Sequence, residues 1–375
     1  MQSLFFYGTL CHLPLLECVL GHDLGVLDIA PAELPEHASY WADGHSFPIL
    51  VAEAGGRAKG LYVGGLSERD VERLNFYEGG YSYDLHAVNV VSAKGDHPTR
   101  VYFPTPGLWP QGKPWRLEDW QRDWSKVIVR AAHEAMGYDG RISPQELLKR
   151  FPMIWARAAA QEAAKDAAPS VVRGAHRKGD VEVDRHQTTH AGFFLMQSYH
   201  LRHPLFAGGM SEVVAREVFE SSDAALVLPY DPVRDRVLLI EQFRMGPFGR
   251  GDTKPWTLEP VAGRIDAGET PEATAEREGM EEAGVSFDRL EHIASYYPSP
   301  GSMTEYFHSY LGLADLPDTL DNSGGLDSEH EDIRLHLLGF DAAMDLVASG
   351  EANVGPLILA LMYLQRERSR LRAVA

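Results

Sequence analysis

The chain has 375 residues, of which 44% are hydrophobic and 24% are charged, and its formal net charge is −19 at pH 7. This length favours two domains, and the composition is typical of globular proteins with apolar cores. The acidic balance argues against nucleic acid and anionic lipid as partners, because both require a basic surface. No run approaches the roughly 18 apolar residues that a membrane span requires, so we expect no membrane partner.

The compartment is predicted from the N-terminus and the cysteines. The segment MQSLFFYGTL lacks a basic n-region and a small-residue cleavage site, so it does not read as a signal peptide. Cys11 and Cys18 are the only cysteines, and their spacing matches no zinc motif. We therefore expect a cytoplasmic protein with two reduced thiols.

A first domain is predicted over residues 1–165. The apolar strand at residues 4–7 is followed by further strand-like segments, GLYVGGL, VNVVSA and RVYFP. Ser67 is placed to cap a short helix that carries acidic residues in its first turn. From about Leu117 the pattern becomes helical, and the alanine-rich ARAAAQEAAKDAAPS is predicted to be a semi-rigid spacer ending at Pro169.

A second domain is predicted over residues 171–375. Two apolar runs, residues 224–230 and 236–243, are joined by DPVRD, which is typical of a β-hairpin turn. The chain then ends in a strand (IRLHLL), a helix over residues 340–348 and a last helix that begins at Pro356.

The segment GRIDAGETPEATAEREGMEEAGV, residues 263–285, predicts an acidic helix. Thr270 is a good N-cap and Gly284 suits the left-handed position after the helix. Glu278 and Glu282 share one face, with Glu281 beside them, and like charges at this spacing destabilise a helix unless a cation lies between them. A solvated acidic face is the alternative, but hard divalent cations bind such carboxylates together with substrate phosphates.

The spacing of this segment resembles the Nudix box. Gly263, Glu269, Arg277, Glu278, Glu281, Glu282 and Gly284 occupy the motif positions, and Gly279 stands where an aliphatic residue is usual. Further segments, among them GFFLMQSYHLRHPLF, LVLPYDPVRDRVLLIEQFR, PWTLEPVAG and PSPGSMTE, are similar to bacterial ADP-ribose pyrophosphatases. The resemblance implies a Nudix α/β/α sandwich that cleaves the diphosphate of ADP-ribose.

The same resemblance implies a role for individual residues. Magnesium, with manganese as a substitute, would be bound by Glu278, Glu282, Glu331 and the carbonyl of Ala262. Glu329 would be the general base, and Glu281 would assist the metals. The substrate-facing residues would be Arg216, Arg244, Phe193 at the adenine and Glu305 near the terminal ribose. Members of the family are homodimers whose N-terminal strands complete the partner's site, so we expect a homodimer.

The N-terminal domain resembles gamma-glutamylcyclotransferase-like proteins in two short motifs. These are FFYGTL and, about seventy residues later, LNFYEGGYSYDL. The resemblance implies a mixed β-barrel in which Tyr7, Gly8, Thr9 and Leu10 present backbone amides to the substrate while Glu78 moves protons. Aromatic neighbours would raise the pKa of Glu78 towards useful values. The fusion of both domains is similar to bacterial proteins labelled for tellurite resistance, which names a phenotype and no reaction.

Three functional hypotheses remain open from the sequence. The first is an ADP-ribose diphosphatase fused to a cyclotransferase-like or ligand-binding domain. The second keeps the hydrolase but changes the small-molecule substrate to another nucleoside diphosphate sugar or a dinucleotide. The third is a nucleotide sensor that binds without turnover, against which the complete set of carboxylates argues.

Overall fold

The computed structural model describes residues 2–79, 83–165, 169–319, 323–326 and 331–373. Internal contacts divide the chain into two compact units, Met1–Asp166 and Ala167–Ala375. Within the described ranges, no helix combines the length and the apolar character needed to cross a membrane.

The first unit is built on a closed β-sheet. Five of the described strands close in the order β3-β1-β5-β4-β2, since β2 pairs again with β3, and β6 pairs with the C-terminal end of β2. Among the described strands of this sheet, β1 and β5 form the one parallel pair. This arrangement confirms the predicted mixed β-barrel. The strands are β1 (Gln2–Phe6), β2 (Asp28–Ala42), β3 (Pro48–Leu66), β4 (Tyr83–Ser92), β5 (Gly95–Pro104) and β6 (Gln111–Pro114).

The helices of the first unit follow the predicted signals at their ends. The Ser67 hydroxyl accepts a hydrogen bond from the Asp70 N–H (3.1 Å) while the Asp70 carboxylate accepts one from the Ser67 N–H (2.8 Å). This reciprocal capping box starts the helix that ends at Glu78 and so fixes where that carboxyl lies. The helices are α1 (Leu13–Leu20), α2 (Glu68–Glu78), α3 (Leu117–Asp123), α4 (Ser125–Met136) and α5 (Pro144–Ala163).

The prediction that the alanine-rich segment is a spacer was wrong for the first half of that segment. Residues 156–163 complete α5, and Ala156, Arg157 and Ala158 are buried within the first unit. The Arg157 guanidinium is only 2% exposed and donates to the Glu134 carboxylate of α4 (3.1 Å from Nε). The sequence did not predict this packing, because a run of alanines is compatible with a close helix–helix contact as well as with a solvent-exposed helix.

The second unit has a central sheet of eight strands. Its order is β14-β15-β10-β11-β17-β16, with β12 beside β11 and β13 beside β10. The predicted hairpin is confirmed by the antiparallel pairing of Tyr230 with Val237. The strands are β10 (Ala224–Asp231), β11 (Arg236–Phe243), β12 (Trp256–Glu259), β13 (Val261–Arg264), β14 (Arg289–Tyr296), β15 (Phe307–Leu313), β16 (Ser323–Gly324) and β17 (Ile333–Gly339).

Helices cover both faces of this sheet. Val227, Leu238 and Ile240 belong to the core under one face, whereas Leu228 and Leu239 belong to the core under the other. This alternation is the period-two pattern of a strand that is buried on both sides, and it confirms the predicted α/β/α arrangement. The helices of this unit are α6 (Met245–Arg250), α7 (Pro271–Ala283), α8 (Phe340–Ser349) and α9 (Gly355–Arg372).

A separate three-stranded sheet precedes the central one. It contains β7 (Glu182–Ala191), β8 (Leu195–Arg202) and β9 (Val214–Glu220) in the order β7-β8-β9. Nearly all of β7 is exposed, and Phe193 and Phe206 are 66% and 91% exposed. Val183 on β7 is 52% exposed as well, so several apolar side chains in and beside this sheet are exposed in the single chain.

Gly279, the residue that departs from the usual box pattern, is explained by its neighbours. A Cβ at this position would lie 2.5 Å from Cε2 of Phe287 and 3.1 Å from the carbonyl oxygen of Val285. The Phe287 ring thus occupies the space that an aliphatic side chain would fill in α7. Glycine at this position makes helix formation less favourable by roughly 1 kcal/mol than alanine would. It leaves the space that the aromatic ring occupies.

We expect Gly279→Ala to destabilise the second unit by about 1–2 kcal/mol, because overpacking against Phe287 outweighs the gain in helix propensity. In a Phe287→Leu background the same substitution should be neutral or stabilising. Urea unfolding of the four proteins in this double-mutant cycle measures the coupling. Equal effects of Gly279→Ala in both backgrounds would contradict the explanation.

Candidate functional site

The acidic helix α7 begins and ends where its sequence predicts. The Thr270 hydroxyl accepts a hydrogen bond from the Ala273 N–H (3.2 Å), and Pro271 occupies the first turn. Gly284 adopts a left-handed conformation with φ of 64° just after the last turn. These caps set the register of the helix and therefore the face on which its carboxylates lie.

Arg277 is the cation that holds the acidic residues of the box together. Its guanidinium donates to Glu269 (2.9 Å), Glu278 (2.6 Å) and Glu281 (2.9 Å). Glu269 is itself oriented by the hydroxyl of Thr274 (2.8 Å). One arginine thus offsets the like-charge repulsion that the spacing of these glutamates creates.

Glu282 lies deeper than the other acids of α7. It is 2% exposed, and one carboxylate oxygen accepts a hydrogen bond from the Ala262 N–H of β13 (3.0 Å). Burial, together with the nearby charges of Glu278 and Glu331, raises the pKa of Glu282 to about 8. Burial likewise raises the pKa of Glu278 to about 7. The nearby acids therefore oppose the ionisation of Glu278 and Glu282.

Two glycines allow this close approach. A Cβ at Gly263 would overlap the Glu278 carboxylate, and a Cβ at Gly324 would overlap the main-chain carbonyl of Glu282. The first glycine of the box is thus required because the acid of α7 packs directly on the β13 backbone. Any larger residue at either position would push the helix away from the strands.

The chemistry of these donors fits a hard divalent cation. Carboxylate oxygens and a backbone carbonyl are the ligands that magnesium prefers, and a cation would offset the burial and the repulsion that raise the pKa of Glu278 and Glu282. Across the ranges that the structure describes, no three His, Cys, Asp or Glu side chains converge into a ready-made metal-binding group. Glu278 is instead engaged by Arg277, and Glu282 by the Ala262 amide.

Arg244 faces this carboxylate cluster from the end of β11. Its guanidinium forms a two-pronged pair with Glu259, with Nε–Oε1 and Nη2–Oε2 distances of 2.9 and 2.6 Å. The buried Thr257 hydroxyl donates to the same carboxylate (2.6 Å). Burial lowers the pKa of Arg244, but Glu259 and the charges of Glu282 and Glu331 raise it more. The arginine is therefore held in place near the acids.

Glu305 lies in a loop that is tied to the end of β9. The Thr304 hydroxyl donates to the Ser221 carbonyl (3.0 Å) and accepts from the Ser221 N–H (3.0 Å). The Ser221 hydroxyl donates to the Glu305 carboxylate (3.3 Å). Burial raises the pKa of Glu305, and the charge of Arg244 lowers it. The structure thus brings Glu305 and Arg244 within electrostatic reach of each other.

Two other predicted substrate residues lie on β9 and in the turn between β7 and β8. Arg216 lies exposed on β9 and donates to its neighbouring Ala215 carbonyl, and Phe193 stacks edge-on against Phe194 in the adjacent turn. Among the described residues, Arg216 forms no ion pair within its own chain. Glu331 is described, with its N–H donating to the Leu326 carbonyl (3.3 Å). The predicted base, Glu329, lies outside the described residues.

The five predicted site residues of the first unit meet in one cavity. Its empty volume is about 710 Å³, including the part that opens to solvent. Tyr7, Gly8, Thr9 and Leu10 line one side as the chain leaves β1, and Glu78 reaches it from the last turn of α2. The other lining residues are Phe5, Phe6, Ser46, Phe47, Pro48, Tyr77, Tyr83, Tyr102, Trp120, Ile128 and Trp155.

The aromatic surroundings make Glu78 a weak acid. Burial raises the pKa of Glu78 to about 7. The same burial, followed by the nearby Tyr83 and Glu78, raises the pKa of Tyr7 well above its usual value. A carboxyl group that titrates near neutral pH can both accept and return a proton, which is what general acid–base chemistry requires.

Several residues of these sites were not predicted from sequence. Arg277 was visible as a box position, yet its contact with three glutamates depends on the fold. Glu259 stands in the PWTLEPVAG segment, but its pairing with Arg244 depends on the β11–β12 register. Trp120, Ile128 and Trp155 come from three different helices and carried no motif.

Comparison with known proteins agrees with this division. A family model described as "NUDIX domain" matches residues 221–358, and one described as "Gamma-glutamyl cyclotransferase, AIG2-like" matches residues 4–124. The second unit is 41% identical over 195 residues to a protein of Escherichia coli (strain K12) named "ADP-ribose pyrophosphatase". This match covers 52% of the chain and 92% of the relative.

Two further relatives match the same part of the chain. An "ADP-ribose pyrophosphatase" of Haemophilus influenzae is 36% identical over 195 residues, covering 52% of the chain and 89% of the relative. A "GDP-mannose pyrophosphatase" of Salmonella paratyphi B is 35% identical over 150 residues, covering 40% of the chain and 77% of the relative. Enzymes of this kind use divalent cations. The chain therefore belongs to the Nudix hydrolase family, and it joins to the Nudix domain an N-terminal domain of the gamma-glutamyl cyclotransferase, AIG2-like type.

Proposed function

We propose that the Nudix domain hydrolyses the diphosphate of ADP-ribose to AMP and ribose 5-phosphate with magnesium, for which manganese can substitute. The observation that carries this proposal is that the charges of Glu278 and Glu331 act on Glu282, and those of Glu282 and Glu331 on Arg244, in a unit that matches nearly the full length of ADP-ribose pyrophosphatases. A buried acidic cluster facing a held arginine suits a substrate that brings both phosphates and metal.

The metal ligands in this proposal are Glu278, Glu282, Glu331 and the carbonyl of Ala262. When bound, magnesium neutralises phosphate charge and lowers the pKa of the attacking water. Arg277 would remain with Glu269 and Glu281 and keep α7 in register while Glu278 turns to the metal. In this scheme Glu281 assists the cluster through Arg277.

The other residues of the proposal act on the substrate and on the water. Glu329 is proposed as the base that takes a proton from water as its oxygen attacks phosphorus and the bridging P–O bond breaks. Arg244, oriented by Glu259, would grip phosphate oxygens, since a guanidinium binds them two at a time. Glu305 would accept hydrogen bonds from the terminal ribose, and Phe193 would stack on the adenine.

The alternative substrate classes have one specific observation in their favour, namely the similarity to a GDP-mannose pyrophosphatase. A phosphate-release assay with ADP-ribose, ADP-glucose, NADH and GDP-mannose, each with phosphatase and magnesium, separates the substrate hypotheses. Turnover of none of them, with tight binding of ADP-ribose, would favour the sensor instead.

We also infer a homodimer in which the β7–β9 sheet completes the site of the partner. Two observations support it: Val183 of β7 and Phe193 of the β7–β8 turn are exposed, and Arg216 on β9 forms no ion pair with the described carboxylates of its own chain. An arginine that binds phosphate in trans would account for the lack of an acidic partner in cis.

For the N-terminal domain we propose gamma-glutamyl cyclisation without metal. The α-amine of a gamma-glutamyl amide attacks its own γ-carbonyl carbon, the bond to the leaving amine breaks, and 5-oxoproline is released. Glu78 takes the proton from the attacking amine and gives it to the leaving amine. The observation that favours this over simple ligand binding is a single carboxyl of raised pKa facing the Tyr7–Leu10 turn across one cavity.

Glu282→Gln should lower ADP-ribose turnover by at least a hundredfold, because one metal ligand is lost. Without metal and above about pH 8, where Glu282 is ionised, the variant should melt at a higher temperature than the wild type, since a buried repulsive charge is removed. The matched control is Glu276→Gln on the exposed face of the same helix, which should retain activity. Near-normal turnover by Glu282→Gln would overturn the site assignment.

In solution the protein should have about twice the 41.6 kDa mass of one chain by light scattering. Arg216→Ala and Glu282→Gln should each be nearly inactive alone. Mixed and allowed to exchange subunits, they should regain about a quarter of wild-type activity, because half of the dimers are mixed and each has one intact site. A monomeric mass, or no recovery on mixing, would contradict the shared site.

Glu78→Gln preserves shape and removes the base, so it should abolish release of 5-oxoproline from gamma-glutamyl amides while leaving their binding largely unchanged. Mass spectrometry of the products measures this in the full chain. Release of 5-oxoproline at equal rates by wild type and variant would remove Glu78 from the mechanism.

The same variant tests the pKa of Glu78 through stability. A carboxyl whose pKa is about 7 in the folded state and 4.5 when exposed binds its proton more tightly when folded. Wild-type stability should therefore fall as pH rises from about 4.5 to 7, by at most about 3 kcal/mol. Glu78→Gln should lack this component and be the more stable protein at pH 8.

A further inference from the structure

The opening of the N-terminal cavity is bordered by aromatic rings. Apart from Glu78 and the Tyr7–Leu10 turn, the described lining residues that keep part of their surface exposed are Ser46, Phe47, Tyr83 and Trp155. Phe47 lies between β2 and β3, and Tyr83 begins β4. Trp109, between β5 and β6, is also half-buried, and its ring centroid lies 5.2 Å from that of Phe47 and 5.6 Å from that of Tyr83. We call Phe47, Tyr83 and Trp109 the aromatic rim.

Backbone contacts fix the aromatic rim relative to the rest of the site. The Asp43 N–H donates to the Pro110 carbonyl (2.9 Å), which ties the β2–β3 connection to the β5–β6 connection. Pro48 follows Phe47 and packs on the turn, since a Cβ at Gly8 would lie only 2.7 Å from Cγ of Pro48. The rings are therefore held beside the Tyr7–Leu10 turn before a ligand arrives, which lowers the entropic cost of binding to them.

Mutual packing leaves ring surface uncovered at the aromatic rim. The Phe47 and Trp109 rings meet edge to face with an angle of 80° between their planes, and the Tyr83 and Trp109 rings are tilted by 33°. Each of the three rings keeps exposed surface, whereas the adjoining Pro48 is buried. Exposed aromatic surface at the opening of a cavity favours an apolar or aromatic ligand group, which gains both area burial and edge-to-face contacts.

The direction in which a substrate extends follows from where the cavity is closed. Away from the opening the described lining consists of buried side chains, namely Phe5, Phe6, Tyr77, Tyr102, Trp120 and Ile128. In the proposed reaction the γ-carbonyl group lies beside Glu78 and the Tyr7–Leu10 turn. A substituent on the amide nitrogen that is larger than a few atoms then extends towards the opening, where it meets the aromatic rim.

We propose that the aromatic rim is the subsite for the leaving amine and that it selects amines with an aromatic or bulky apolar substituent. The inference rests on the proposed cyclotransferase function of the N-terminal domain and names the substrate class of that site. Trp109 is the specificity-determining residue. It stands behind the described lining of the cavity, holds the rings of Phe47 and Tyr83 in place and adds its own exposed surface to theirs.

Three gamma-glutamyl amides test the preference. Gamma-glutamyl-phenethylamine carries a ring, gamma-glutamyl-ethylamine lacks it, and gamma-glutamyl-1,4-diaminobutane ends in an ammonium group. Calorimetric titration of the full chain carrying Glu78→Gln measures binding without turnover. The phenethylamine compound should bind about tenfold more tightly than the ethylamine compound, as burial of one ring on aromatic surface predicts. Equal affinity of these two compounds, or tightest binding of the ammonium compound, would overturn the proposal, and neither result depends on a substitution in the rim.

Substitutions at Trp109 locate the subsite. In the Glu78→Gln background, Trp109→Ala should weaken binding of the phenethylamine compound about fivefold and leave the ethylamine compound within about twofold. Trp109→Phe keeps a ring and should restore most of the lost affinity. Phe47→Leu, in the other connection, should show the same selective loss. Equal weakening of both compounds by Trp109→Ala would give this residue a purely structural role and contradict the subsite.

The matched control is Trp115→Ala. The Trp115 ring is also half-buried and packs against another ring, that of Trp41, at 4.4 Å between centroids. Neither of these two tryptophans belongs to the described lining of the cavity. The control should change the affinity for neither compound, and a selective loss in this variant would count against the assignment to the rim.

Turnover separates the subsite from the reaction. In the chain with Glu78 intact, Trp109→Ala should raise KM for the phenethylamine compound about fivefold and keep kcat within about twofold, because the ring is bound equally before and during the reaction. Release of 5-oxoproline from the three compounds is scored separately. Selective binding without release refutes the cyclotransferase and keeps the subsite. Release from all three compounds without preference keeps the cyclotransferase and refutes the subsite, and the absence of both binding and release refutes both.

Discussion

The burial of carboxylates is the constraint on which both functional sites depend. An ionised carboxylate loses its hydration when it is buried, and a second one nearby adds repulsion, so the folded protein must provide compensation. In the second unit Arg277 forms ion pairs with Glu269, Glu278 and Glu281. The backbone N–H of Ala262 donates a hydrogen bond to Glu282. In the first unit Glu78 has no cation among its lining neighbours and instead holds its proton more tightly.

These two solutions suit two kinds of chemistry. Acids that oppose one another's ionisation suit a divalent cation. The cation would supply the positive charge that protons and Arg277 supply to Glu278 and Glu282 in its absence. A solitary acid in an aromatic cavity, such as Glu78, suits proton transfer, because its pKa lies near neutral pH. The difference follows from the neighbours of each carboxyl rather than from the carboxyl itself. The chain, with a net charge of −19, therefore holds an acidic cluster and a solitary buried acid in separate units.

Close packing around the acids explains residues that have no chemical role of their own. Gly263 and Gly324 leave room for Glu278 and for the backbone of Glu282, and Gly279 leaves room for Phe287. Each of these glycines costs conformational entropy, and Gly263 and Gly324 let α7 approach the strands more closely than any side chain would permit. The Thr304–Ser221 hydrogen bonds position Glu305, because they attach its loop to the end of the strand that carries Arg216.

The sequence by itself determined the features that depend on neighbours along the chain. Capping residues, the hairpin and the alternation of buried strands act over a few residues, and so does the shared face of Glu278 and Glu282. Only the tertiary structure decided which distant groups meet. Three contacts depend on the relative placement of separate elements. They are the contact of Phe287 with Gly279, the ion pair of Glu259 with Arg244, and the packing of the end of α5, which the sequence had predicted to be a spacer. Trp120 and Trp155 face one cavity for the same reason: side chains from different helices become neighbours only when the core between them has formed.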